Sequence, residues 1–124
     1  CFSYTKMVNS HILSKHRFTY SCIPTKGFFT FDGFSKQDLT TGSFQSYKFE
    51  ENIFGSEISF APKINAIDED DGYLVSITTN LNTNTSEGVL FDAKNINSGP
   101  VCTMSLPHMV CNGTHATWAQ IDEL

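Results

Sequence analysis

No stretch of this chain carries a long apolar stripe at helical spacing. Short runs rich in aromatic and β-branched residues are instead interrupted every few positions by Gly, Pro, Asn or Asp. That punctuation confines the chain to strands and tight turns. Eleven Phe among 124 residues push the same way, because aromatic rings pack well on a pleated surface. Arg17 to Ile23 reads as a strand, Pro24 to Gly27 as a turn, and Phe28 to Phe34 as a second apolar run. Lys36-Gln37-Asp38-Leu39 then leads into the turn Thr40-Thr41-Gly42. Phe44 to Phe49 returns with period-two alternation, which predicts a hairpin with Gly42 at positive φ.

The second half repeats this grammar. Glu57 to Ala61 is a short strand stopped by Pro62, and Asp68 to Gly72 is an acidic turn. Tyr73 to Thr79 puts Tyr73, Val75, Ile77 and Thr79 on one face. Asn80 to Ser86 is a polar loop, Gly88 to Asp92 a strand, and Val101 to Leu106 a last strand ending at Pro107. The segments GFSKQDLTTGSFQSYKF and VLFDAKNINSGPVCTMSL share one plan of strand, Asp, polar connection, Gly and strand. Their separation matches a propeller-blade repeat. Two blades cannot close a ring that needs about four to eight. The pattern therefore predicts an all-β pair of meander sheets from a larger toroid, with a self-contained β-sandwich as the competitor.

A formal net charge of −5, with scattered Lys and Arg, disfavours nucleic acid and anionic membrane surfaces as partners. No apolar run is long enough to span a bilayer. Cys1, Cys22, Cys102 and Cys111 form no C-x-x-C pair, and reduced, partly buried thiols are expected. The tripeptides Asn84-Thr85-Ser86 and Asn112-Gly113-Thr114 match the glycosylation sequon, a common chance pattern.

Of His11, His16, His108 and His115, none falls in a short metal-binding spacing, and a single imidazole is weak evidence for a ligand. Counting Gly72 as the sixth position of a calcium loop makes Ile67 the first ligand, which cannot coordinate; Asp68 to Asp71 reads as a solvated turn. Glu57 is more informative. It opens a strand beside small residues, and if buried it needs a donor such as an imidazole N–H. No nucleophile elbow, P-loop or dinucleotide fingerprint is present.

Three runs taken together are specific: GSEISFAPKINAIDEDDGYLVSITT, VLFDAKNINSGPVCTMSLPH and GTHATW. With them the chain, from about Arg17 to Trp118, resembles the C-terminal part of the carotenoid cleavage oxygenases. The subgroup of bacterial carotenoid oxygenases and lignostilbene dioxygenases resembles it most. The resemblance implies about two blades of a seven-bladed β-propeller, with residues 1–124 the C-terminal fragment of one propeller domain and the upstream blades lying outside it. It implies a non-haem Fe(II) held by four His, with Glu side chains behind them. His115 matches the last ligand and Glu57 matches one of the supporting carboxylates. His108 matches a strand end that is not a metal position. A further supporting Glu is expected shortly before Arg17, yet no Glu precedes Glu50. Either Tyr4 occupies that place or the Glu lies before Cys1.

The chemistry so implied is O2-dependent cleavage of a C=C bond in a carotenoid, apocarotenoid or stilbene-like substrate to carbonyl products. Neutral imidazoles suit Fe(II), and carboxylates behind them fix the tautomers. The partners expected are an apolar polyene or stilbenoid and O2, with no nucleic acid and no transmembrane segment. Any peripheral membrane contact belongs to parts outside this chain, and the expected location is the cytoplasm. The alternatives are an isomerase or inactive member of the same family, and a metal-free β-sandwich binding module.

Overall fold

A computed structural model of the chain describes residues 5–6, 15–26, 30–111, 115–119 and 121. His11, Cys1, Tyr4, Gly27 and the Asn112 tripeptide, all raised by the sequence, lie outside the described residues. The strands are β1 (Thr5–Lys6), β2 (Phe18–Pro24), β3 (Phe31–Asp38), β4 (Phe44–Lys48), β5 (Ile53–Gly55), β6 (Ser59–Pro62), β7 (Gly72–Asn80), β8 (Thr85–Asp92) and β9 (Pro100–Ser105). A single 3₁₀ turn, Ile96–Ser98, separates β8 from β9.

Among the described residues every pairing is antiparallel, and the strands join one nine-stranded sheet. Two four-stranded meanders are visible within it, β1 to β4 and β6 to β9. The short β5 links them, pairing Gly55 with Phe31 of β3 and Ile53–Gly55 with Thr78–Asn80 of β7. Three residues carry too little pattern to announce a strand, so β5 was not expected. Its backbone partners on two longer strands create it.

The core lies between the meanders. Phe18, Tyr20, Cys22, Phe31 and Phe34 from β2 and β3 meet Ile58, Leu74, Val89, Phe91 and Ile96. Phe34 is fully buried, and its ring meets Phe49 and Phe91 edge-on at 5.2 and 5.5 Å. Such edge-to-face pairs add about 0.5–1.5 kcal/mol each beyond burial.

Other departures from the sequence reading have identifiable causes. The second apolar run does not end at Phe34; β3 continues to Asp38, because buried Lys36 and Asp38 each find an opposite charge. Gly33 lies inside that strand, where an added Cβ would come 2.1 Å from the Tyr47 carbonyl oxygen. On β7 the alternation places Tyr73, Val75, Ile77 and Thr79 on one face, as read from the sequence, and the face that is buried is the other, Leu74, Ser76 and Thr78. Burial of those hydroxyls is tolerated because Ser76 donates to the Ser56 carbonyl at 3.1 Å and Thr78 to that of Glu87 at 3.4 Å. The expected loop from Asn80 to Ser86 shrinks to a turn over Leu81–Asn84, with Asn84 at φ 55°. Gly42 sits at φ 74°, as the hairpin requires. Of the cysteines, Cys22 is buried but Cys102 and Cys111 are exposed free thiols, against the partial burial expected of them.

Candidate functional site

The acidic turn is fastened rather than solvated. The Glu69 carboxylate accepts the Phe18 N–H at 3.0 Å and the Arg17 N–H at 2.8 Å, capping the entry to β2. Asp70 pairs with buried Lys36 at 2.6 Å, and the same ammonium donates to the Ala93 carbonyl at 2.8 Å. Asp68 pairs with Lys94 at 2.8 Å, and Asp71 with Lys63 at 3.4 Å. A neighbouring polar cleft of about 220 Å³ is lined by Arg17, Phe18, Lys36, Asp38, Asp70 and Lys94, among others. The Arg17 guanidinium, hydrogen-bonded to Asp38, holds that carboxyl well below the usual carboxylate range, and Thr40 and Thr41 backbone donors add to the effect. Each of these cations has its carboxylate, which makes the cleft a brace between strands.

Glu57 is different. It sits just before β6, where Gly55 and Ser56 bring the chain onto the edge of β7 through the Ser56 N–H to Ile77 carbonyl bond at 2.8 Å. Its side chain is 9% exposed. The Ala116 N–H donates to Glu57 Oε2 at 2.7 Å, and His115 Nδ1 lies 3.7 Å from the same oxygen. The first contact is a short charge-assisted hydrogen bond. The second is longer than a hydrogen bond and is an ion pair only with the imidazole protonated. Fifty-eight positions of chain separate the two residues, and the fold closes that gap. The His115 side chain is 79% exposed, so the carboxylate is buried behind an open imidazole.

Trp118, Ala119 and Ile121 line a groove of about 760 Å³ together with Pro62–Asn65. Lys63, in that shoulder, is tied to both Asp71 and Asp92. His108 is exposed, His16 is half-buried, and among the described residues no three His, Cys, Asp or Glu side chains form a group that could hold a metal. The donor set fits a contribution of one imidazole, with its carboxylate, to a site completed by other ligands. Sequence reasoning missed the Lys36–Asp70 pair and the Glu69 cap, because partners this distant leave no local pattern.

The sheet and the His–Glu corner define an all-β protein of antiparallel meanders. The model of the retinal pigment epithelial membrane protein family matches residues 5–120, and the chain belongs to that family. It is 33% identical over 87 residues to a lignostilbene-α,β-dioxygenase isozyme III from Sphingomonas paucimobilis, covering 70% of this chain and 18% of that protein. It is 30% identical over 135 aligned positions to a carotenoid 9,10(9′,10′)-cleavage dioxygenase from Crocus sativus, covering 98% of this chain and 25% of the other. A solved variant of the Synechocystis apocarotenoid oxygenase superposes with a TM-score of 0.85 at 25% identity, over 94% of this chain and 25% of that one. The chain therefore spans a quarter or less of the length of these relatives.

Proposed function

We propose that this chain is the C-terminal part of a non-haem Fe(II) dioxygenase that cleaves a C=C bond of a carotenoid, apocarotenoid or stilbene-like substrate with O2, giving two carbonyl products. The two meanders are two blades of a seven-bladed propeller whose other blades belong to the rest of the polypeptide. A cytoplasmic location goes with this reading. The observation that carries it is the contact between Glu57 and the His115 segment, in a chain whose relatives are named as dioxygenases acting on carotenoids and lignostilbene.

In this reading His115 is one of four His ligands, and the iron, once bound, supplies O2 activation. The residues of this chain hold and orient. Glu57 faces Nδ1, which leaves Nε2 as the metal-binding nitrogen. Its negative charge would offset the charge that a metal ion brings to a shell of neutral imidazoles. Its bond to Ala116 fixes the backbone next to the ligand. The deciding experiment is His115→Ala in the full-length protein, with iron content and carbonyl products measured. Loss of both is expected, and wild-type values for both would overturn the proposal.

A further inference from the structure

The segment that leads from β9 to His115 is held by a ring of three hydrogen bonds that the sequence does not announce. Thr79 of β7 and Ser86 of β8 are direct cross-strand partners. Their hydroxyls lie 2.9 Å apart. The Val110 N–H donates to Ser86 Oγ at 2.9 Å, and Thr79 Oγ1 donates to the Val110 carbonyl at 2.9 Å. One proton order satisfies all three contacts. Thr79 has a single O–H, and the Val110 carbonyl can only accept, so that proton goes to Val110. Ser86 must then donate to Thr79 Oγ1 while accepting from Val110. The ring runs Val110 N–H to Ser86, Ser86 O–H to Thr79, Thr79 O–H to Val110 C=O. Each bond in such a cycle polarises the next.

Position matters as much as geometry. Ser86 is 1% exposed, so its hydroxyl sits on a rigid part of the sheet. The Ser86 carbonyl also accepts the Leu106 N–H at 2.9 Å, so one residue grips the segment twice. The ring saturates both backbone groups of Val110 although this stretch is not a strand. It gives the tail a fixed point just before His115, as the Glu57–Ala116 bond gives one just after it. A loop held close at both ends loses less entropy on docking than one held at a distant point.

We infer that Thr79 and Ser86 are positioning residues for His115: their hydroxyl ring pre-orders the segment so that the imidazole is presented with little conformational cost. This deepens the metal-ligand reading of His115 and rests on it. The sequon Asn84-Thr85-Ser86 has a structural use here, since its third residue is buried and bonded through its hydroxyl.

The test uses the full-length protein. Thr79→Val keeps the shape and removes the hydroxyl; Ser86→Ala opens the ring from the other side; Thr79→Ser restores the donor. In the metal-free protein, hydrogen exchange followed by mass spectrometry is expected to accelerate across residues 106–119 in the first two variants, with β2 and β3 unchanged. Fe(II) affinity is expected to fall about threefold to tenfold, the scale of one lost net hydrogen bond. Thr79→Ser is expected to recover both. Thr79→Val combined with Ser86→Ala is expected to lose more than either alone but less than their sum, because both single variants already remove the shared Ser86–Thr79 bond. Wild-type Fe(II) affinity in Thr79→Val, beside an iron-free His115→Ala, would overturn the ring's role and leave the ligand reading standing. Iron retained in His115→Ala would overturn the ligand reading, whatever the exchange data show. Additive losses in the double variant would also overturn the ring.

Discussion

The cleft beside Lys36 is lined by Arg17, Lys36 and Lys94 with Asp38 and Asp70, whereas the corner beside Glu57 brings one carboxylate to one imidazole and one amide. The cleft has the greater density of charge and the smaller capacity for chemistry. Its cations and carboxylates neutralise one another at 2.6–2.8 Å. Glu57 instead meets a short backbone donor and an exposed imidazole, which we propose binds a metal through its second nitrogen. What marks a site is a buried charge aimed at a group that can still bind something, not the number of charges.

The strongest way to break this contrast is to remove one half of the buried pair. Lys36→Met leaves Asp70 facing the core edge uncompensated and is expected to destabilise the protein by about 3–5 kcal/mol in urea unfolding. Lys36→Met with Asp70→Leu is expected to recover much of that loss, since two apolar groups need no partners. Full stability in the single variant would remove the cleft's role as a brace. Glu57→Gln should behave oppositely. Its amide oxygen still accepts from Ala116, so stability should fall by no more than about 1 kcal/mol. Fe(II) affinity is expected to fall about ten- to a hundredfold, because the charge behind the imidazole is gone. Equal affinity in Glu57→Gln and wild type would reduce Glu57 to a backbone clasp.

The smallest effect concerns acid. The Asp38 carboxyl is held below its ordinary value of 3.8, chiefly by Arg17. A folded-state value below the unfolded one means that the native state binds fewer protons in this range. The contribution is therefore complete above about pH 4 and is lost as pH falls further. Arg17→Met should lower stability slightly at pH 7 and flatten its further loss below pH 4, so that variant and wild type converge in acid. An acid limb as steep as wild type would show that the pair contributes nothing.

Much of the fold could be read in the residues. The strands β2, β4, β6, β8 and β9 fall within a few positions of where alternation and punctuation place them. The meander pairing follows from the turn at Gly42 and from the polar stretch after β7, which the structure tightens to Leu81–Asn84. Both Glu57 and His115 were singled out in the sequence, His115 through its motif in combination with others. What was not legible depended on partners. Lys36 and Asp38 look like a polar connection until Asp70 and Arg17 arrive from elsewhere. The face of β7 with the larger apolar residues is not the buried one, because Ser76 and Thr78 find carbonyls to bond.

By itself, then, the sequence determined the secondary structure class, the strand succession and the residue types available for chemistry. These are local consequences of side-chain alternation and turn geometry. Tertiary structure alone decided that the acidic turn braces two meanders, that β5 joins them, and that Thr79 and Ser86 grip the segment leading to His115. It also decided that a carboxylate and an imidazole far apart in the chain share one corner. The reason is physical. A buried charge or hydroxyl is tolerable only with a partner, and partners are supplied by distance in space, which the order of residues does not state.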